Sequence, residues 1–309
     1  MMNPKIKNLI KFTAGIIIIL VLIYKIGISN IFEEIRNLNK LYLLPLLALY
    51  PILVYLSAIN LKVLIKCYNK IITTKELVNY YLISYSLGLL TPANIGELYI
   101  IKLLKKHNFK SEEALMIILF DKLITLKVLA AVSIIGCIGL FKNKINIWVL
   151  LVILAFVICV GFFIISNKMK KILKVFFKRY KNNIENIYKE FNFYIKTGKK
   201  YIILNFILTI FKWLITSIGI KYLILGFDYN IPIIIVFVIT CTARLISLIP
   251  ITISGIGIKE LIAVGLYSQF GIPADIILSV YLIYLVLNYS VGAIVILLNL
   301  NFKKINEMP

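Results

Sequence analysis

Nine ionisable side chains fall inside stretches apolar enough to lie in a bilayer: Glu97, Asp121 and Glu260 against Lys122, Lys127, Lys212, Lys221, Arg244 and Lys259. A charge at the centre of a membrane helix costs roughly 2.5–3.5 kcal/mol on insertion scales, so each must be paired, reach an interface or meet a ligand. Lys127 and Lys221 fit snorkelling toward an interface. Three acids against six bases leave a net positive interior, which favours an anionic ligand. Glu97 and Glu260 occupy matched places, each just after a proline and a glycine that interrupt an apolar run.

Those interruptions set the architecture that must carry the charges. In the first, Pro92 removes a backbone donor and biases Thr91 away from helical dihedrals, and Gly96 permits a tight reversal before Glu97. In the second, Pro250 is followed by Ser254, Gly255 and Gly257, then Lys259 and Glu260. Irregular backbone at membrane depth is tolerated only where protein buries it or where it lines a wet cavity. Two broken segments at corresponding places in the two halves of a membrane chain point to a binding site between inverted repeats. Helix amino termini starting near Gly96 and Gly257 would present N–H groups suited to an anion.

Composition restricts the alternatives. The chain of 309 residues is 61% hydrophobic and only 16% charged, with a mean hydropathy of +0.97, and its apolar runs lack the alternation of barrel strands. The fold class expected is an all-α polytopic membrane protein, a single integral domain over 1–309. The net charge of +22 reads as cytoplasmic loops facing anionic lipid, not as a nucleic-acid surface. Cys67, Cys137, Cys159 and Cys241 stand far apart with no C-x-x-C, and His107 is the one histidine, set among Lys105, Lys106 and Lys110. Neither a metal site nor a cofactor is expected.

About six full spans are expected, over 9–27, 41–60, 114–140, 147–166, 201–225 and 276–300, with two broken or re-entrant hairpins between them. The first hairpin has an arm over 77–90 and a second after Gly96; the other has an arm over 232–249, open to reading as a full span, and a second ending near Gly271. Segment 167–200 holds most of the polar residues of the middle of the chain, and Ile172, Val175, Phe176, Ile184, Ile187 and Phe191 give it the pattern of a basic amphipathic helix on the membrane surface. Lysines and arginines concentrate in the amino terminus, 62–75, 102–110, 167–200 and the carboxyl terminus. The opposite face keeps Lys25, Arg36, Lys40, Lys142 and Lys144, so both termini are expected in the cytoplasm and the hairpins in inverted orientation. Polar stripes at helical spacing, Asn205, Thr209, Lys212, Thr216 and Gly219 on one span and Tyr281, Tyr284, Asn288 and Gly292 on the last, suit a cavity lining or helix packing.

Segment 91–98, the pair Asp121-Lys122 and segment 250–260 resemble the flippase-like transmembrane region of lysylphosphatidylglycerol synthases and its stand-alone prokaryotic relatives. Pro92, Gly96 and Glu97 match its Pro-Gly-Arg-x-Gly-Glu motif, with Ala93 and Asn94 departing; Lys122 stands for the arginine of its Asp-Arg pair. Pro250, Gly255, Gly257 and Glu260 match its second motif, with Ser254 departing, and Leu285 takes the place of an arginine expected in the last span. The resemblance covers most of the chain and implies a membrane module that moves or binds anionic or aminoacylated phospholipids, or lipid-linked sugars. No segment has the length of a soluble aminoacyl-transferase domain, so the chain is expected not to be an enzyme. The alternatives are a membrane-embedded transferase acting on a polyprenyl or phospholipid phosphate, built from Glu97 and Asp121, or a non-catalytic partner of a separate synthase or glycosyltransferase. Glu97, Asp121, Lys122, Lys212, Arg244, Lys259 and Glu260 are the expected substrate-binding residues, with Pro92, Gly96, Pro250, Gly255 and Gly257 shaping the backbone.

Overall fold

Ile- and Leu-rich runs with no internal partner for a β-edge can satisfy their backbone only as helices in lipid. The computed structural model describes residues 4–91, 94–140, 181–249 and 252–306, and these are helical apart from short turns. The helices are α1 (Pro4–Ile26), α2 (Ile28–Asn37), α3 (Leu43–Ile65), α4 (Thr74–Leu89), α5 (Tyr99–Leu104) and α6 (Ser111–Leu140). Beyond residue 180 come α7 (Lys181–Thr197), α8 (Lys199–Leu225), α9 (Ile233–Ser247), α10 (Ile258–Tyr267) and α11 (Ala274–Asn306).

Among the described residues, four helical stretches are long and apolar enough to cross a bilayer: Lys40–Tyr68, Ser111–Leu140, Lys199–Leu225 and Ala274–Leu298. They fall on four of the six expected spans. The expected span 147–166 lies outside the described residues. The first expected span ends at a bend of 85° into α2, so that 28–37, read from sequence as a connector, is helical. Gly27, at φ 97°, makes the corner, and α2 returns toward the bundle to bury Ile31.

Both broken segments are broken here too. α4 has 16 residues and α9 has 15, about 24 and 22 Å long, short of a hydrocarbon core of about 30 Å. α4 starts on a capping box in which the Thr73 hydroxyl accepts from the Glu76 N–H and Glu76 accepts from the Thr73 N–H. It ends at Leu90, and a 3-10 turn over Ile95–Leu98 leads into the six-residue α5. α9 ends at Leu248 and the chain restarts as α10 at Ile258.

Packing gathers these elements into two apolar halves. One combines α8, α9, α10 and α11 around Ile220, Val236, Tyr267 and Tyr281; the other combines α3 to α7 around Leu64, Ile117, Phe120 and Tyr194. α7 is the described half of the basic amphipathic segment. Part of its apolar side packs on the bundle: Phe191 and Tyr194 stack on Phe120 with ring centroids 5.4 and 4.4 Å apart, and the Tyr194 hydroxyl donates to the Leu64 carbonyl. Residues 167–180 lie outside the described residues.

Candidate functional site

The local chemistry of the first break explains its shape. Thr91 closes the end of α4 by donating its hydroxyl to the Gly88 carbonyl, and the same oxygen accepts the Gly96 N–H at 2.7 Å. A Cβ at Gly96 would overlap the Leu87 carbonyl oxygen, so the reversal folds directly onto the helix it has left. Asn94 takes a left-handed conformation at φ 56°, which a short amide side chain tolerates. Pro92 lies outside the described residues.

The second break is built by positive φ. Ser254, Gly255 and Gly257 stand at 52°, 75° and 82°, and the Gly257 N–H that begins α10 donates to Glu260 Oε2 at 2.7 Å. Glu260 is fully buried and therefore caps a helix end from within; its other oxygen lies 3.4 Å from Lys259 Nζ. Pro250 lies outside the described residues.

The two breaks meet. Ser254 Oγ donates to Asn94 Oδ1 at 3.0 Å, and Asn94 Nδ2 donates to Glu97 Oε1 at 3.0 Å, so one amide joins the tips of both hairpins. Two of the positions that depart from the resembled motifs, Asn94 and Ser254, are thus bonded to each other. Glu97 is completed by an ion pair to Lys122, whose Nζ also lies 3.9 Å from Asp121 Oδ2.

Beside this junction is a cavity of about 430 Å³. Seven of the described helices contribute to it, among them α3 with Tyr50, α4 with Tyr81 and Tyr85, α6 with Lys122, α8 with Lys212, α9 with Arg244 and α11 with Tyr284. Asn94 and Glu97 from one tip, and Ser254 and Lys259 from the other, complete its wall. Of the seven expected substrate-binding residues, five line it: Glu97, Lys122, Lys212, Arg244 and Lys259. Asp121 and Glu260 stand behind the wall, Asp121 buried within reach of Asn205 Nδ2 at 3.5 Å and Glu260 in its cap.

The wall's charges are unequally matched. Lys122 faces Glu97, and Lys259 faces Glu260 while lying over the Tyr284 ring at 5.3 Å. Arg244 and Lys212 have no carboxylate within ion-pair distance and no side-chain hydrogen bond among the described residues. The stripe on α8 divides accordingly: Asn205 and Thr209 are buried, with Asn205 donating to the Asn60 carbonyl and Asn60 to Thr209, whereas Lys212 and Thr216 face the cavity. On α11, Tyr281, Tyr284 and Asn288 line the cavity, Asn288 accepting from the Tyr85 hydroxyl at 2.8 Å.

Most of the cavity's aromatic wall lies outside the residues that the sequence pattern singles out. Tyr81 and Tyr85, stacked with centroids 5.7 Å apart, recur at i and i+4 on α4, a spacing that puts them on one face. Trp213 and Tyr289 carried no such signal, because each stands one residue off the polar stripe of its helix.

The model of one protein family, the lysylphosphatidylglycerol synthase TM region, matches residues 8–296. The chain belongs to this family. The match takes in both hairpins, the cavity wall and every expected site residue, and it agrees with the resemblance carried by the paired motifs. As a member of the lysylphosphatidylglycerol synthase TM region family, the chain is a multi-pass membrane protein connected with lipid metabolism. No curated protein matches its sequence.

Proposed function

We propose that this protein binds, and translocates across the membrane, an anionic lipid whose headgroup enters the cavity between the two hairpin tips. The observation that carries this reading is the pair Arg244 and Lys212, two cations on the cavity wall with no carboxylate within ion-pair distance among the described residues. Both side chains are only partly buried and their nearest carboxylates lie beyond ion-pair distance, so a phosphate between the two would gain charge-assisted hydrogen bonds that the protein itself leaves unmade. A guanidinium matches phosphate oxygens in pairs, while a lysine acts as a point charge.

In this reading the hairpins enter from opposite faces, both termini are cytoplasmic, and no covalent chemistry is performed. Glu97 sets the tip geometry through Lys122 and Asn94, and Asp121 and Glu260 hold the cavity's cations and backbone in place. A transferase would have to recruit Glu97 or Asp121 away from these contacts. The test is scrambling of fluorescently tagged phosphatidylglycerol in proteoliposomes, read as the fraction reached by an impermeant quencher. Scrambling above that of protein-free vesicles, slowed by Arg244→Gln, is the expected result; rates equal to those of protein-free vesicles overturn the translocation.

A further inference from the structure

Glu260 is fully buried, and its two oxygens are used differently. Oε2 accepts the Gly257 N–H at 2.7 Å. Oε1 has no hydrogen-bond partner among the described residues, and its counter-charge is Lys259 Nζ, 3.4 Å away. Lys259 also lines the charged cavity. We infer that an anionic headgroup enters this cavity together with a proton: Lys259 turns from Glu260 to the phosphate, and Glu260 Oε1 binds a proton taken from water. The inference rests on the function proposed above.

The Lys259 contact is loose enough to be exchanged. Lys122 is both ion-paired and hydrogen-bonded to Glu97. Lys259 makes no hydrogen bond to Glu260 Oε1 and lies over the ring of Tyr284, itself a wall residue, at 5.3 Å. A phosphate held by Arg244 and Lys212 offers Lys259 a charged acceptor on the cavity side. Once the ammonium has turned away, Glu260 is a fully buried carboxylate without a counter-charge, a state that proteins avoid by neutralising the group. A proton on Oε1 leaves Oε2 to keep the cap on Gly257, so α10 stays intact. The lipid's negative charge and the proton cancel, and the cavity carries the same total charge loaded or empty.

The titratable and charged groups around Glu260 are Lys259 and Tyr267 of its own helix, Tyr281, Tyr284 and Tyr289 of α11, and Arg244 of α9. α1 meets the start of α10 through Gly15 and Ile18, which carry no charge, and Glu97, beyond the tip junction, is bound to Lys122. Glu260 is thus the carboxylate that the departure of Lys259 strands. Tyr281 gives the proton a route. Its hydroxyl is buried beside those of Thr240 and Tyr267 with no hydrogen bond made among the described residues, and Tyr281 and Thr240 both belong to the cavity wall. A hydroxyl both donates and accepts, so it can hand a proton on.

The test is calorimetric titration of the purified full-length protein with water-soluble glycerophosphoglycerol, repeated in buffers of different ionisation enthalpy so that protons taken up on binding are counted. This phosphodiester keeps its single charge across the pH range used and is not itself the proton acceptor. The wild type is expected to take up about one proton per ligand, so its Kd should rise about tenfold per pH unit where uptake is complete. Glu260→Gln keeps an oxygen for the Gly257 N–H but takes no proton. Lys259→Gln removes the counter-charge, so that Glu260 holds its proton before the ligand arrives. Both variants are expected to bind without proton uptake and with a Kd independent of pH, and either serves if the other does not fold. Binding by the wild type without proton uptake, or uptake undiminished in a folded variant, overturns the coupling and leaves the headgroup site standing. Failure of the wild type to bind at any pH removes the headgroup site and the coupling with it.

Discussion

At the scale of single residues, the cations of the cavity wall divide into those matched by a carboxylate and those that wait for a ligand. Arg244 and Lys212 belong to the second group, and a hydrogen bond to a charged group contributes roughly 1.5–3 kcal/mol. Arg244→Gln is therefore expected to weaken an anionic headgroup by about 10- to 100-fold in Kd, measured by titration with glycerophosphoglycerol. Lys122 belongs to the first group. Lys122→Met strands the Glu97 carboxylate, 12% exposed, but Lys122 is itself 51% exposed, so the cost falls below the 3–5 kcal/mol of a fully buried pair, at about 1–3 kcal/mol. Thermal unfolding in detergent checks this, and adding Glu97→Gln to Lys122→Met should recover much of the loss. These charges were legible in the sequence because a lysine or glutamate in an apolar run has to be explained. Which of them paired was not legible, since Glu97 and Lys122 lie on different helices and Asp121, beside Lys122 in sequence, is turned out of the cavity toward Asn205.

At the scale of elements, the breaks were legible and their join was not. Pro92 and Gly96, and Pro250 with Gly255 and Gly257, announce interruptions in any apolar run, and the helices do stop beside them. Nothing local in the sequence says that Asn94 would reach Ser254, because that bond depends on two hairpins folding to one depth. The same limit explains α7: period and charge gave its amphipathic face, but whether Phe191 met lipid or Phe120 depended on the neighbouring helices. Gly96→Ala would drive a methyl group into the Leu87 carbonyl, with an expected loss of about 1–3 kcal/mol or more and a splayed first hairpin. Reduced thermal stability together with faster proteolysis at the 91–98 turn is the expected signature. The start of α4 carries a separate, pH-dependent contribution. Hydrogen bonds from Thr73, helped by His107, hold the exposed Glu76 carboxyl below the usual carboxylate range. Its stabilising effect is thus full above the usual carboxylate range and is lost as the pH falls through the lower folded value, and Thr73→Ala should abolish that acid dependence in melts between wild type and variant.

At the scale of the whole molecule, the uneven distribution of Lys and Arg makes one proposal about orientation, in which the two hairpins enter from opposite faces. The turn at Lys105–His107 closes the first hairpin's second arm and should face the cytoplasm; the turn at Ser268–Phe270 closes the second's and should face outward. Single cysteines placed in each turn of intact cells should react with an impermeant maleimide at 268–270 and not at 105–107, and the reverse pattern would turn the molecule over. The central claim is that the cavity between the tips selects a negative headgroup by two cations left unmatched by the protein. The most direct measurement is competitive retention of phosphatidylglycerol against phosphatidylcholine of the same tails by the purified protein, read by mass spectrometry of the bound lipid. The account predicts a preference for phosphatidylglycerol in the wild type that disappears in Arg244→Gln with Lys212→Gln; equal retention by the wild type, or a preference that survives the double substitution, would contradict it.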